Sequence, residues 1–310
     1  MANFLSDEID FSAYEKETDF KATVRKAKDF AADMEAEFTA DPARRRIGMS
    51  STKLRDAIEF RPGETTVWAG YNGHRKSTVT GQTALDLVAH GQRCLMISLE
   101  MSPGRTLARM AMQACATDFP SVARRHEFMR WTDGRLWLFN HVGSLTPTKC
   151  LGVLRYFASE LRGQHVFIDS FMKVCQTEES MDEQKALVGN LCSLAEETGM
   201  HLHIIAHCRK PQSGDERPPT KYDIKGTGAI TDQMHNVIMV WENKAKRFEA
   251  DKREPDQKIM SGFDALLTID KQRNGKVEGK FGLYIDNRCL RFCDSAIMPV
   301  DPYDMAHDGT

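Results

Sequence analysis

The alternation of short apolar runs with longer amphipathic stretches constrains the fold of this 310-residue chain more than any other feature. Apolar runs predict strands at 65–69, 94–99, 136–139, 166–169, 202–206, 237–241 and 265–269, with a closing hairpin strand at 281–285. The segments between them predict helices, notably at 78–90, 105–116, 148–161 and 182–198. Strands that alternate with helices predict an α/β fold with a mainly parallel sheet flanked by helices.

The same pattern divides the chain into a main domain at 45–293, an N-terminal region at 1–44 and a C-terminal tail at 294–310. Within the main domain, residues 209–227 are rich in Pro and Gly, and residues 242–262 are dense in Lys and Glu. Both segments predict long surface loops or partly ordered insertions. The tail has no periodicity, so we expect it to be flexible.

The N-terminal region carries an apolar stripe at helical spacing. Its members recur every three or four residues with charged residues between them: Phe20, Val24, Ala27, Ala31, Met34 and Phe38. This spacing places them on one face of a helix. That face packs either on the chain's own domain or on a neighbouring subunit. The sequence Asp41-Pro42 then ends the helix.

Composition limits the classes of protein that fit. The net charge of −2 argues against a protein coated in Lys and Arg that binds polyanions over its whole surface, but not against a locally lined channel. No apolar run approaches the roughly 20 residues that cross a bilayer, and the acidic start lacks the features of a signal peptide. We therefore expect a cytosolic protein without a membrane partner. The eight cysteines include no CxxC pair and are expected to be free thiols, with Cys289 and Cys293 on a strand.

A phosphate site is predicted where the first apolar run meets the first helix. Residues 70–77 read Gly-Tyr-Asn-Gly-His-Arg-Lys-Ser between a strand and a helix, which is the arrangement of a P-loop. Backbone N–H groups then surround a phosphate, and Lys76 and Ser77 stand where a lysine and a Mg²⁺-binding hydroxyl belong. Arg75 replaces the second glycine of the GxxxxGK[ST] pattern, and its side chain either crowds the loop or adds positive charge. The predicted ATP contacts are Gly70, Asn72, Gly73, His74, Arg75, Lys76, Ser77 and Thr78.

Polar side chains follow three further strands. Glu100 ends the run at 94–99, Asp169 ends the run at 166–169, and His207 follows the run at 202–206. In a parallel sheet these strand ends meet on one side, where ligands bind. ATP hydrolysis needs an acid that holds Mg²⁺ and a base that orients water, so we assign Asp169 and Ser77 to Mg²⁺ and Glu100 to the water. His207 suits a sensor of the γ-phosphate.

A zinc site is the alternative interpretation of the histidines. His201, His203 and His207 share one face of their strand, but zinc usually takes further ligands at short spacing and none occurs. We therefore interpret His201 and His203 as packing residues.

Taken in order, these motifs resemble the DnaB-type replicative helicases, and their details are similar to the phage and mitochondrial (Twinkle-like) members. The resemblance spans about residues 47 to 293. Its most specific parts are Ser-Leu-Glu-Met at 98–101 and Lys-Gln-Arg-Asn-Gly at 271–275, and its least specific part is the P-loop with Arg75. It implies a RecA-like P-loop NTPase motor at 45–293, preceded by a linker helix at 1–44 that docks on the next protomer.

The resemblance also implies the roles of particular residues. Lys76 and Ser77 bind phosphate and Mg²⁺, Glu100 is the catalytic base and Asp169 is the Walker B acid, while His207 matches the polar sensor. Arg273 matches an arginine finger with Lys271 as its companion, and in this family both act on ATP held by the adjacent subunit. A finger supplied in trans makes hydrolysis depend on assembly, so a homo-oligomeric ring, usually a hexamer, is expected.

Single-stranded DNA is the expected substrate of the ring. The loop after His207 is rich in cations, which in a ring would face the central hole; we predict DNA contacts from Arg209, Lys210, Lys221 and Lys225. A charged loop that contacts only solvent is the alternative. Because no primase-like segment or zinc ribbon precedes the motor, a separate primase chain, or sequence outside this one, is expected to supply priming.

Three functions fit these observations. The first is an ATP-hydrolysing ring helicase that translocates on single-stranded DNA and unwinds duplex during replication, in a bacterial or phage-infected cytoplasm. The second is a RecA-like DNA-binding ATPase that uses ATP only as an assembly switch. The third is a degenerate ring that Arg75 has inactivated, which the presence of Glu100, Asp169 and Arg273 argues against.

Overall fold

A computed structural model describes residues 3–5, 27–32, 34–35, 47–174, 181–209, 217–226, 228–297 and 300–306. These residues form a ten-stranded sheet with helices on both faces. The strands are β1 (Asn3–Leu5), β2 (Thr65–Gly70), β3 (Cys94–Ser98), β4 (Leu136–Phe139), β5 (His165–Asp169), β6 (His201–His207), β7 (Asn236–Glu242), β8 (Ala265–Gln272), β9 (Gly279–Asp286) and β10 (Arg291–Cys293). The predicted α/β class with a mainly parallel sheet is confirmed.

The strands lie in the order β1-β4-β3-β5-β6-β2-β7-β8-β9-β10. All pairs from β1 to β7 are parallel, and the pairs β7–β8, β8–β9 and β9–β10 are antiparallel. We refer below to the carboxyl end of the sheet, where β2, β3, β5 and β6 finish, and to the amino end, where they begin. The antiparallel β8 starts beside the carboxyl end of β7 and returns to the amino end.

Eight α-helices accompany the sheet in the described residues. They are α1 (Lys76–Ala89), α2 (Pro103–Cys115), α3 (Val122–Trp131), α4 (Pro147–Leu161), α5 (Met181–Thr198), α6 (Ala229–Gln233), α7 (Lys244–Ala250) and α8 (Gln257–Met260). Proline at the first position starts α2 and α4, where its missing N–H is not needed. Ser121 caps α3 by accepting a hydrogen bond from the Arg124 N–H.

Strand alternation separates two cores, one on each face of the sheet. On β2, Val67 and Ala69 face the core under α4 and α5, whereas Trp68 faces the core under α1, α2 and α3. Both faces of the central strands are therefore apolar. This is why the sequence shows uninterrupted apolar runs there rather than an apolar–polar alternation.

Two parts of the chain are more ordered than the sequence predicted. Residues 242–262 form the short helices α7 and α8 instead of a long loop, because Asn243 and Asp256 cap them by accepting hydrogen bonds from Lys246 N and Lys258 N. The helix α3 also had no clear periodic signal in the sequence. Cys289 lies in the turn before β10 rather than on a strand, and only Cys293 is within β10.

The tail is packed where it is described. Tyr303 Oη donates to Asp86 Oδ1 at 2.5 Å, its N–H donates to the Ala114 carbonyl, and the Arg291 guanidinium lies over its ring. Met305 is buried as well. Residues 300–306 therefore do not form the flexible tail that the lack of periodicity predicted.

Only part of the N-terminal stripe lies in the described residues. Ala27 begins a 3-10 turn, and the residues from Ala31 to Glu35 that are described continue as a helix. Ala27, Ala31 and Met34 are exposed, so these three side chains are not covered by their own domain. Phe20, Val24 and Phe38 lie outside the described residues.

Two predicted absences concern the described residues only. Their seven cysteines are all free. None of their helices is long and apolar enough to span a membrane.

Candidate functional site

Four neighbouring strands bring the predicted site residues to the carboxyl end of the sheet. In the order β3-β5-β6-β2, Glu100 follows β3, Asp169 ends β5, His207 ends β6 and the 70–77 loop follows β2. Register fixes the heights of these residues, since Ser98 pairs with Asp169 and Gly70 pairs with His207. Side chains separated by up to 137 positions in sequence therefore surround one loop.

The loop between β2 and α1 has the geometry of a phosphate cradle. Gly70 is required because a Cβ there would lie 2.2 Å from the Val240 carbonyl oxygen of β7. Gly73 adopts a φ of 75° at the exposed tip, beside the exposed Asn72. The first turn of α1 carries no acidic side chain, which leaves its N–H groups and dipole available to an anion.

Lys76 is buried at the base of this loop. Its Nζ donates to the carbonyl oxygens of Gly70 at 3.0 Å and Tyr71 at 2.9 Å. Burial lowers the pKa of Lys76, and the Asp169 carboxylate opposes that shift. Because an ammonium has three N–H donors, the two carbonyl groups hold its position while one donor remains for a phosphate oxygen.

Arg75 answers the question that its replacement of glycine raised. Its backbone adopts the left-handed conformation, with a φ of 60°, that glycine would adopt at no cost. Its guanidinium points away from the loop, where Nε donates to Glu242 Oε1 at 2.8 Å and Nη2 donates to Asn287 Oδ1 at 3.0 Å. The positive charge is therefore neutralised by a buried carboxylate rather than directed at the phosphates.

Two other loop residues fix the loop to its surroundings. His74 is buried, and its Nδ1 accepts a hydrogen bond from the Glu242 N–H at 3.0 Å. Thr78 is buried in the first turn of α1, where its carbonyl oxygen accepts from Gln113 Nε2. Neither side chain is shown in contact with the space inside the loop.

Ser77 and Asp169 form the oxygen pair that suits Mg²⁺. Ser77 Oγ donates to Asp169 Oδ2 at 2.5 Å, and the carboxylate is buried. Burial, together with the neighbouring Glu100 carboxylate, raises the pKa of Asp169, so a cation at this position would relieve the cost of its charge. A hydroxyl, one carboxylate and phosphate oxygens match the donor set that Mg²⁺ takes in phosphoryl-transfer sites.

Glu100 and His207 face each other across the same end. The distance from His207 Nε2 to Glu100 Oε1 is 3.5 Å. The hydrogen bond from His207 lowers the pKa of Glu100 to about 2, against the opposing effect of partial burial. Glu100 is therefore ionised at neutral pH, and this half-exposed carboxylate can accept a hydrogen bond from water and orient it.

Lys271 and Arg273 lie at the amino end of the sheet. Gln272 pairs with Asn236, at the start of β7, and Arg273 donates its backbone N–H to the His235 carbonyl. The length of β7 therefore separates them from the P-loop, a distance of about 20 Å at roughly 3.3 Å per residue. The Arg273 side chain is exposed, so neither residue reaches Lys76 of its own chain, and both are open to another molecule.

Both cations contact only the backbone at the end of α6. Lys271 Nζ donates to the carbonyl oxygens of Thr231 at 2.7 Å and Asp232 at 2.9 Å. Arg273 Nη2 makes longer contacts of 3.2 Å with the Asp232 carbonyl and 3.4 Å with that of Gln233. Burial and the nearby Arg273 guanidinium lower the pKa of Lys271.

The residues that alternate with these cations hold the segment rigidly. Gln272 Nε2 donates to the Ala57 and Val277 carbonyl oxygens, and Asn274 Nδ2 donates to Glu64 Oε1 at 2.7 Å. Gly275 lies so close to Gln272 that a Cβ would be 2.5 Å from its amide oxygen. The turn is thereby fixed from within, with Lys271 and Arg273 on its outer side.

The predicted DNA loop is joined directly to the sensor strand. Lys225 N–H donates to the His207 carbonyl at 2.7 Å, and Arg209 N–H donates to the Asp223 carbonyl at 2.8 Å. Arg209 is exposed, whereas Lys221 and Lys225 are partly buried. Lys210 lies outside the described residues.

The buried histidines of β5 and β6 have protein partners. Trp68 Nε1 donates to His203 Nδ1, His203 Nε2 lies 3.3 Å from His165 Nδ1, and the His203 ring stacks on Phe167 at 4.1 Å. His201 contacts Thr66 Oγ1 and the Arg61 carbonyl. No cluster of three or more His, Cys, Asp or Glu among the described residues could hold a metal ion, so His201 and His203 pack as predicted.

A cavity beside the P-loop was not anticipated from the sequence. It has a volume of about 730 Å³ and lies at the carboxyl end of β7. Arg75 and Glu242 form its wall next to the loop, and Arg247, Tyr284 and Asn287 line it further out. The polar Lys- and Glu-rich composition of 242–262 was the only signal, and it was interpreted as a solvated loop.

With this geometry established, comparison with known families is decisive. The profile of the family described as AAA domain matches residues 34–213. The chain belongs to this family. A curated relative, the DNA helicase/primase of Enterobacteria phage T3, is 24% identical over 204 residues, which is 59% of this chain and 36% of that protein. The chain therefore spans about a third of the length of that relative.

Two solved structures share the fold. One is the ATPase domain of another protein, which matches with a TM-score of 0.67 at 13% identity, over 88% of this chain and all of that one. A DnaB-like replicative helicase, solved in a study of its interactions with primase, matches with a TM-score of 0.68 at 14% identity, over 88% of this chain and 69% of that one. The predicted RecA-like fold and the resemblance to DnaB-type helicases are confirmed.

Proposed function

We propose that this AAA-family chain is the ATP-hydrolysing motor of a ring helicase that translocates on single-stranded DNA and unwinds duplex during replication. One observation carries the proposal. The groups that hold and hydrolyse a nucleoside triphosphate meet at the carboxyl end of the sheet, while the cations that complete the reaction are fixed at the amino end. A head-to-tail ring of copies brings the two ends together.

At the carboxyl end, each residue has one task. Lys76 and the N–H groups of the loop bind the β- and γ-phosphates, and Ser77 and Asp169 hold Mg²⁺. Bound there, Mg²⁺ would neutralise charge on the phosphates. Glu100, ionised because His207 lowers its pKa to about 2, orients the attacking water. The order of these groups around Lys76 supports hydrolysis rather than binding alone.

At the amino end, Arg273 and Lys271 act on the nucleotide of the adjacent copy. Their own chain offers them only carbonyl oxygens, and the Arg273 contacts are long enough to be exchanged easily for phosphate oxygens. A guanidinium supplied in trans stabilises the charge of the transferring phosphoryl group. We expect a hexameric ring, the usual number in DnaB-type proteins.

A short chain of contacts joins hydrolysis to DNA. His207 contacts Glu100 through its side chain and holds Lys225 through its carbonyl oxygen. The DNA loop then continues into α6, whose last carbonyl groups receive Lys271 and Arg273. Loss of the γ-phosphate therefore alters contacts at both ends of the loop that carries Arg209, Lys221 and Lys225.

Three further parts of the proposal concern partners. The exposed Ala27, Ala31 and Met34 support a linker helix that docks on the next protomer. The cavity beside Arg75 takes the nucleoside part of ATP, since it adjoins the phosphate loop and offers Tyr284 and Arg247 as flat surfaces. Because the T3 relative is a helicase and primase, we propose that a primase, separate from these 310 residues, works with this motor in the cytoplasm.

Two assays test the proposal. ATP turnover should rise when single-stranded DNA is added, and Lys76→Ala should reduce it to background because the loop loses its phosphate cation. A forked duplex should then be unwound only with hydrolysable ATP. DNA-stimulated turnover without strand displacement would favour the assembly-switch alternative, and undiminished turnover of Lys76→Ala would contradict the phosphate site.

A further inference from the structure

An exposed tyrosine stands on the loop that follows the sensor strand. Tyr222 is the middle residue of the 3-10 turn Lys221–Asp223, and it is 83% exposed. Lys221 Nζ lies over its ring, 5.6 Å from the centroid. A single exposed aromatic residue is ordinary on a protein surface, so its meaning depends on how the chain holds it and on what surrounds it.

The turn that carries Tyr222 is rigid. The Asp223 carboxylate accepts four hydrogen bonds, two from Thr220 and two from the Arg217 guanidinium. The Thr220 and Asp223 side chains form a reciprocal capping box across the turn. Because these polar groups satisfy one another inside the turn, they fix the backbone on both sides of Tyr222.

The turn is also tied to the body of the domain. Ile224 is buried in the core and pairs with Cys208, which directly follows the sensor His207. The Lys221 N–H donates to Asp270 Oδ2 of β8 at 2.7 Å. Tyr222 is therefore presented outward from a fixed frame, and little conformational entropy is lost when its ring contacts another flat group.

The surroundings of the ring favour an anionic partner. Among residues 209 and 217–226, basic residues outnumber acidic ones by four to one, the basic ones being Arg209, Arg217, Lys221 and Lys225. The one acidic side chain, Asp223, is paired with Arg217, which leaves Arg209, Lys221 and Lys225 to attract phosphates. An aromatic ring beside cations is the combination that binds single strands, because bases stack on the ring while cations follow the backbone.

We propose that Tyr222 is a stacking platform for a nucleobase of single-stranded DNA. The inference rests on the proposed function, since it places the DNA strand along this loop. It adds a base contact to the phosphate contacts expected of Arg209, Lys221 and Lys225. Stacking on one ring is tolerant of sequence, because every base has a π-face.

The test compares two ligands of equal length, an oligothymidylate and an abasic strand with the same phosphates. Binding is measured by fluorescence anisotropy for the full chain with Mg²⁺ and a non-hydrolysable ATP analogue. Tyr222→Ala should weaken binding of the oligothymidylate by ~5- to 150-fold, the range for loss of one base–aromatic stack. Tyr222→Phe should bind like the unmodified chain, and neither variant should change binding of the abasic strand.

Phe119→Ala is the matched control. Phe119 is 81% exposed and lies beside Arg125, but it is between α2 and α3, away from the loop. It should leave both affinities unchanged. Equal affinities of Tyr222→Ala and the unmodified chain for oligothymidylate would overturn the stacking role, as would an equal loss on both strands. If the unmodified chain binds neither strand, the DNA-binding part of the proposed function fails instead.

Discussion

The two ends of the sheet differ in how their charged groups are satisfied. At the carboxyl end, Lys76, Asp169 and Glu100 lie within one network of mutual contacts that also includes Ser77 and His207. At the amino end, Lys271 and Arg273 meet no carboxylate and donate only to carbonyl oxygens within the part of the chain that the structure describes. The first end is a nearly complete phosphate site. The second holds its cations ready for a negative group that their own chain does not supply.

The difference teaches that the proposed reaction is divided between copies. The two ends belong to one rigid sheet, and the length of β7 keeps them about 20 Å apart. No rotation of a side chain closes such a distance, since an extended arginine reaches only about 7 Å on the bond lengths of a protein chain. A neighbouring copy must therefore bring the amino end of its sheet to the phosphates.

The largest expected effect comes from removing the cation at the amino end. Arg273→Ala should lower the turnover number by ~10³- to 10⁵-fold, the range measured for arginine fingers. Affinity for ATP and ring assembly should be largely unchanged, because Lys76 and the loop are intact. Steady-state ATPase rates and nucleotide titration check this. Lys276→Ala, which removes an exposed cation from the same hairpin, should have little effect; equal losses in both variants would contradict the assignment.

A second prediction concerns the buried network that supports the amino end. His201 contacts Thr66, which joins Asn236, Glu64 and Asn274 of the arginine-bearing turn. Burial lowers the pKa of His201 to about 4. It also places the pKa values of His165 and His203 well below their ordinary value. The carboxyl end, by contrast, relies on charged groups.

These shifts have a definite sign. Below pH ~6.5 the unfolded chain binds more protons than the folded chain, so the free energy of unfolding is full above that pH. It should fall by up to about 1.4 kcal/mol per pH unit for each buried histidine as the pH decreases toward the folded values. Urea unfolding at pH 7 and 5.5 measures the slope. His203→Gln should make it shallower while the exposed His126→Gln leaves it unchanged; identical slopes would refute the contribution.

The smallest effect is expected at Arg75. Arg75→Gly relieves the left-handed backbone and removes the contacts to Glu242 and Asn287, whereas Arg75→Lys keeps the backbone cost and changes only the side chain. Because the guanidinium does not face the phosphates, either variant should change ATP affinity by less than about tenfold, or ~1.4 kcal/mol. Isothermal titration checks this. A larger loss would show that Arg75 contacts the nucleotide.

The central sheet could be predicted from sequence because burial on both faces leaves a continuous apolar signal. Each predicted strand from 65 to 285 lies within or beside an observed one, for example 202–206 within His201–His207. The sheet order placed Glu100, Asp169 and His207 near the loop once the strands were taken as parallel. The roles of these residues remain predictions, and so do the domain functions assigned to 1–44 and 45–293.

Other features depended on contacts that no local pattern reports. The direction of the Arg75 side chain is set by Glu242, which is 167 positions away. The short helices α7 and α8 depend on single capping residues, and the tail is held by the contact between Tyr303 and Asp86. Tyr222 carried no signal in the sequence because its rigidity comes from Arg217, Thr220 and Asp223 together.

The division of the site between copies is tested most directly by mixing two inactive variants. Arg273→Ala keeps Glu100, and Glu100→Ala keeps Arg273, so neither should hydrolyse ATP alone. In a randomly mixed ring, about one interface in four joins an intact Glu100 to an intact Arg273. The account predicts that DNA-stimulated ATP turnover reappears on mixing. A mixture that forms joint rings, verified by mass photometry with distinguishable tags, yet stays as inactive as its components would contradict it.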